Sequence, residues 1–260
     1  YTIFIWILDE YGIYQIPDVP YERRKLQYED VFPVLYLKYR LLGKSSQKEI
    51  KHLVIDEMQD YSYMQYVILE NLFQCRMTIL GDYAQTLDTK QQDVLRFLPK
   101  IFGRGIRKVI LNKSYRNTYE IAQYAAQISG ITGLELLERH GRQVDVRRFA
   151  TEDEMLAAIA SNVNLGTDGY ETGAVITMTE EEAYDIYRLL IKRGVDAAYV
   201  DRDSSAFKRG LTVTTFYLAK GLEFDQVFTI RGTKENPLAE QAEYISATRA
   251  LQELYVYGAE

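Results

Sequence analysis

The residues best suited to chemistry are Asp56 and Glu57, two adjacent carboxylates that close the apolar run His52-Leu-Val-Ile. A strand ending in paired acids sets both at its carboxyl tip, the edge where open α/β sheets bind ligands. There the first carboxylate can hold Mg²⁺ through water while the second polarises a water for attack on a phosphoryl group. The same residues also fit an acidic surface loop, so the pair alone leaves both readings open. Further on, Met77-Thr-Ile-Leu80 runs into Gly81-Asp82-Tyr-Ala-Gln85, which would place an amide at a neighbouring tip to sense a γ-phosphate. Gly-Asp after a strand is equally an ordinary turn. Arg116 in Tyr115-Arg116 and Arg249 in Thr248-Arg249-Ala250 suit charge stabilisation on a transferring phosphoryl group, and each alone would also serve as a surface ion pair.

The elements that must position these groups follow from periodicity. From residue 50 onward, β-branched runs alternate with helical-period segments, the pattern of a parallel sheet flanked by helices. Strands are expected at His52 to Asp56, Met77 to Leu80, Lys108 to Leu111, Val144 to Phe149, Ala174 to Thr177, Leu211 to Thr215, Gln226 to Ile230 and Leu254 to Tyr257. Helices show apolar stripes around Met64 to Leu72, Ile121 to Ile128 and Ala183 to Ile191. The first fifty residues lack the alternation and read as helix around Tyr28 to Leu42, with Pro33 tolerable near a helix start or kink. They are expected to wrap the first sheet. Gly103, Arg104 and Gly105 mark a boundary between a domain over residues 1–104 and another over 105–260.

Composition sets limits. A chain of 260 residues with 47% hydrophobic content can bury a core in each of two domains. The longest apolar run, Tyr1 to Leu8, falls far short of the roughly 20 residues that a spanning helix requires. The first residue is Tyr and no basic stretch precedes an apolar one, so the sequence reads as an excised piece without a signal peptide. Cys75 is the single cysteine, and His52 and His140 are the only histidines, which excludes internal disulfides, speaks against a zinc cluster and suits the cytoplasm. A net charge of -6 gives no global attraction to nucleic acid, although a local groove can still hold a strand. The 22 tyrosines are spread along the chain and read as half-buried core and rim residues.

Taken together and in order, Asp-Glu-x-Gln-Asp, Gly-Asp-x-x-Gln, Tyr-Arg-Asn-Thr, Thr214-Thr215-Phe-Tyr-Leu-Ala-Lys-Gly-Leu-Glu-Phe-Asp225 and Ser246-Ala-Thr-Arg249-Ala resemble the UvrD/Rep family of superfamily 1 DNA helicases over residues 50–258. The resemblance implies two RecA-like parallel-sheet domains of the P-loop NTPase type, the first incomplete, with ATP and Mg²⁺ bound between them. It implies Asp56 for Mg²⁺, Glu57 as catalytic base, Gln85 at the γ-phosphate, Arg116 and Arg249 as arginine fingers, Gly221 for close approach to the nucleotide and Glu223 near the ribose. Thr215 matches a position that meets the DNA backbone, and Tyr217 stands where many members carry a DNA-contacting histidine. The implied partner is single-stranded or partly duplex DNA, with movement 3' to 5'. Lys220 is open between a structural and a functional role.

Two departures and one narrower likeness refine the resemblance. The phosphate-cradling loop is absent: Gly43-Lys44-Ser45 lacks the upstream glycine and follows a helix, so this piece alone is expected not to hydrolyse ATP. After Gln85 comes Thr86-Leu-Asp-Thr-Lys90 instead of a base-stacking aromatic segment. Tyr28 to Lys38 and Asp60-Tyr-Ser62 resemble the HelD branch, whose members include remodellers of RNA polymerase. A DNA helicase or translocase, an RNA polymerase remodeller and a catalytically dead binding module are therefore the alternatives.

Overall fold

The computed structural model describes residues 26–43, 47–86, 94–103, 105–204, 209–232 and 236–260. Tyr1 to Leu8, Lys44-Ser45, the stretch from Leu87 to Lys90 and Arg104 lie outside the described residues. Two compact units emerge, one comprising residues 1–83 and 90–108, the other 84–89 and 109–260. Gln85 thus groups with the second unit. Among the described residues no helix is long and apolar enough to cross a membrane.

In the first unit, helix α1 (Tyr28–Leu42), with Pro33 inside it, packs on α2 (Tyr63–Leu72). Helix α2 starts at a capping box, in which Ser62 accepts from the Gln65 N–H and Gln65 returns a bond to the Ser62 N–H. Strands β1 (His52–Ile55) and β2 (Arg76–Ile79) pair in parallel, with Ile55 opposite Ile79. Fully buried Tyr66 of α2 and Leu98 of α3 (Val94–Phe102) pack in one cluster with Ile55.

The second unit opens with a small parallel pair, β3 (Lys113–Ser114) and β4 (Glu135–Leu136), around helix α4 (Tyr119–Ser129). The strand expected at Lys108 to Leu111 is not there. Among the described residues that segment pairs with no strand, and Val109, Ile110 and Leu111 are exposed. A β-branched run without a partner gains no ladder, which is why composition misled here.

The rest is built on β5 (Asp145–Phe149), α5 (Glu152–Asn162), β6 (Thr172–Thr177), α6 (Glu180–Lys192), β7 (Ala197–Tyr199), β8 (Gly210–Thr215), β9 (Phe224–Arg231), α7 (Ala239–Arg249) and β10 (Ala250–Ala259). The six strands form one parallel sheet in the order β5-β10-β9-β6-β8-β7. This is the α/β class expected from the alternation. Alternate side chains feed two cores, as parallel strands covered on both faces require. Ile176, Val227 and Val256 pack with α4 and α7, whereas Val175, Phe228 and Tyr257 pack with α5 and α6.

Several tyrosines are core residues with bonded hydroxyls. Tyr255 stacks on Phe228 at 4.6 Å and donates to Glu253, so burial and the Glu253 carboxylate push its hydroxyl up to about 12. Gln226 is fully buried, and its amide accepts from the Asn164 N–H while donating to the Asn162 carbonyl and to Glu253. Replacing it with leucine removes all three bonds and leaves Glu253 with the one from Tyr255. Gln226→Leu should therefore lower the unfolding free energy by about 2–4 kcal/mol, read by urea denaturation, and an unchanged midpoint would show that these partners find other bonds.

Candidate functional site

In the first unit the tip of β1 is built as a clamp. Asp56 and Glu57 follow directly on Ile55, and the Asp56 carboxylate accepts the Glu57 N–H at 2.8 Å. Glu57 adopts a left-handed conformation (φ 53°, ψ 48°) and is the single non-glycine residue with positive φ among the described residues. Such a backbone costs on the order of 1–3 kcal/mol and persists only where its surroundings enforce it. The enforcement is visible in Gln59, which is buried and donates from its side chain to the Glu57 carboxylate at 2.6 Å. The other end of the same amide accepts the Asp82 N–H at 3.2 Å, and the Met58 N–H reaches the Leu80 carbonyl. One glutamine therefore locks the acidic turn to the Gly81-Asp82 turn.

Gly81 has no room for a side chain. A Cβ there would sit 2.7 Å from the Met58 backbone nitrogen and 2.5 Å from the Gln59 side-chain oxygen. From sequence, Gln59 carried no assigned role and Gly81 was only part of a turn. The signal was the amide in Asp-Glu-x-Gln-Asp, whose spacing lets it return to the second acid. Gly81→Ala should destabilise the first unit by about 1–3 kcal/mol, measured as a lower urea midpoint for probes near β1 and β2. No change would mean that the two turns are free to separate.

In the second unit the structure gathers the other candidates into two groups. Arg249 closes α7, is 2% exposed, and bonds the Gln85 side-chain oxygen at 3.0 Å and the Ile245 carbonyl at 3.2 Å. Lys220 donates to the Gln85 carbonyl at 2.9 Å, so the lysine left open by the sequence helps hold this glutamine. Arg116 pairs with Glu223 at 2.7 Å, both half-exposed. Asn117 ties the two groups together, since its buried amide donates to the Ala250 carbonyl at 2.6 Å, one residue past Arg249. Arg139 adds a bond from its guanidinium to the Arg116 carbonyl. Gly221, between Lys220 and Glu223, has φ +83° and nothing within 4 Å of where a Cβ would stand, so a glycine conformation faces open space there.

Thr215 and Tyr217 stand apart from these groups, after the carboxyl end of β8. Thr215 is fully buried, so the accessible member of the pair is Tyr217, itself half-buried. Tyr217 donates to Glu180 at 2.8 Å, and Arg202 binds the same carboxylate oxygen. The Tyr217 and Arg202 bonds hold the Glu180 carboxyl below its ordinary range, and burial followed by the Glu180 bond raises the Tyr217 hydroxyl above its own.

Among the described residues no three His, Cys, Asp or Glu side chains converge to hold a metal by themselves. Asp56 and Glu57 at one tip thus fit an ion that takes its remaining ligands from elsewhere, as Mg²⁺ does with phosphates and water.

Residues 24–87 match the UvrD/REP helicase N-terminal domain, a stretch that contains the whole β1 clamp and Gln85. No curated protein matches the chain. Among solved structures, the C-terminal domain of a possible DNA helicase from Lactobacillus plantarum WCFS1 is similar at 22% identity and TM-score 0.42, over 56% of this chain and 88% of that one. Arterivirus nonstructural protein 10 (helicase), solved with DNA, is similar at 17% identity and TM-score 0.46, over 84% of this chain and 41% of that one. Without DNA the corresponding values are 16% and 0.46, over 97% and 49%. The chain thus spans less than half of the viral helicases, and at these TM-scores the similarities carry no argument about activity.

Proposed function

We propose that this chain is part of an ATP-driven DNA helicase or translocase of the UvrD/Rep type, in its HelD-like branch, moving 3' to 5' on single-stranded DNA. The observation that carries the reading is the β1 tip: two carboxylates, the second held in a strained left-handed turn by Gln59, inside the segment that matches a helicase N-terminal domain. A strained carboxylate maintained by a dedicated clamp is what a positioned base requires and what a surface loop does not.

In this reading residues 1–104 are the later part of a first RecA-like motor domain and residues 105–260 the second. Asp56 would hold Mg²⁺ and Glu57 would take the proton of the attacking water. Gln85, Arg116 and Arg249 would meet the phosphates, Gly221 would let the backbone approach the nucleotide closely, and Glu223 would lie near the ribose. Bound ATP and Mg²⁺ supply the phosphoryl group and the charge that polarises it. The protein's part is to fix Glu57 through Gln59 and to exchange the Arg116 partner Glu223 for the nucleotide. Tyr217, and Thr215 beneath it, would lie at the DNA.

The test is steady-state ATP hydrolysis by the full-length gene product with and without single-stranded DNA. DNA stimulation that falls by about 10²-fold or more in Glu57→Gln, and by a comparable or larger factor in Arg116→Ala, is the expected result. Hydrolysis that ignores DNA and responds to RNA polymerase would replace this reading with a remodelling factor. No hydrolysis under any condition would leave a binding module.

A further inference from the structure

A cavity of about 510 Å³ opens in the second unit at the carboxyl ends of β6 and β9, on the sheet face covered by α4 and α7. None of the residues assigned above to nucleotide or DNA lines it. The position has a topological cause. Strands β6 and β9 are neighbours, yet the chain leaves β6 through α6 toward β7 at one edge and leaves β9 through α7 toward β10 on the other side. Neighbouring strands whose connections diverge leave a crevice outside their carboxyl ends, the place where α/β sheets take ligands, and here α4 and α7 wall it.

The lining has an unspent hydrogen bond. Thr229 alternates with Phe228 and so faces the α4 and α7 side, where it is 4% exposed and its hydroxyl has no partner among the described residues. The other two lining hydroxyls are used, that of Thr177 on the Thr179 carbonyl and that of Ser246 on the Ala242 carbonyl. An unbonded buried hydroxyl is costly, and valine would fill the same volume without that cost.

The charge of the lining selects the ligand. Among the described residues its one cation, Arg231, is bound by Glu243 through two bonds of 2.7 and 2.8 Å, and Tyr124 donates to the same carboxylate. Burial alone would raise the Glu243 carboxyl, but the Arg231 and Tyr124 bonds outweigh it and hold the group below its ordinary range. Glu240, exposed at the rim, forms no ion pair among the described residues. One cation already neutralised, with a further carboxylate at the mouth, repels phosphates and carboxylates and attracts positive charge.

We propose that this switch-point crevice binds a small organic cation, an amidinium, guanidinium or ammonium carried on an apolar body. The body lies against Ile128, Ile176 and Met178, the charge is met by Glu240, and a polar atom is taken by the Thr229 hydroxyl. The site is independent of the helicase reading.

An isosteric series tests it: benzamidine, benzamide and benzoate titrated into the methyl-labelled chain and followed by NMR. Benzamidine should shift the Ile128, Ile176 and Met178 methyls, benzamide should do so more weakly, and benzoate should leave them in place. Thr229→Val should raise the melting temperature by about 2–4 °C and weaken benzamidine about threefold to tenfold. Glu240→Gln should weaken benzamidine while leaving benzamide unchanged. Benzoate shifting the same methyls equally, or none of the three shifting them, would overturn the proposal, as would Thr229→Val lowering stability with affinity intact. Should Thr229→Val not fold, the series on the unaltered chain together with Glu240→Gln decides.

Discussion

A parallel sheet buried on both faces governs the second unit. Strands β6, β8, β9 and β10 send alternate side chains into two separate cores, and neither face of these central strands is left for water. Polar chemistry can then be built only along the two edges where strands begin and end. The candidate residues obey this constraint: Glu223 immediately precedes β9, Arg249 immediately precedes β10, and Thr215 ends β8. Polar side chains that enter the sheet are mostly held by bonding, as Gln226 is, whereas the Thr229 hydroxyl, at the mouth of a cavity, is left over among the described residues.

The first unit reaches the same end by a tighter device. With only two described strands, it fixes its acidic tip by a side chain and a missing side chain: Gln59 bridges two turns, and Gly81 lets them approach closely enough to be bridged. The strain at Glu57 is small beside the packing of Ile55 and Tyr66 that supports it. Local conformation, packing and the chemistry of the carboxylates are one linked arrangement there.

The parts of this architecture legible in the sequence are those written in local pattern. Alternation of β-branched runs and helical stripes located β1, β2, the strands from β5 onward except β7, and helices α2, α4 and α6, with bounds differing by a few residues, and α1 was legible as a helix outside that alternation. Short strands escaped it, since β3, β4 and β7 are held by their neighbours more than by their own composition. The run at Val109 to Leu111 failed the other way, with strand composition and no partner. At the site, residue types named Asp56, Glu57, Gln85, Arg116 and Arg249, but spacing could not show that Arg249 and Gln85 bond each other or that Arg116 rests on Glu223. Those contacts join segments far apart in the chain, about which periodicity is silent. The switch-point cavity was invisible for the same reason, because it arises from strand order.

Strand order also separates two chemistries. The sequence placed its candidates at strand tips and helix starts, yet in the second unit Arg116, Glu223 and Arg249 gather where strands begin, while Tyr217, Thr229 and Arg231 lie toward where strands end. Strand β9 runs from one group to the other, eight residues or about 26 Å of backbone at the usual rise. It is hydrogen-bonded to β6 on one side and β10 on the other, so neither end can shift without its neighbours. Glu223 and the Thr229 crevice therefore stand toward opposite ends of one strand, and helix α7 runs between the same two places, beginning beside the crevice and ending at Arg249.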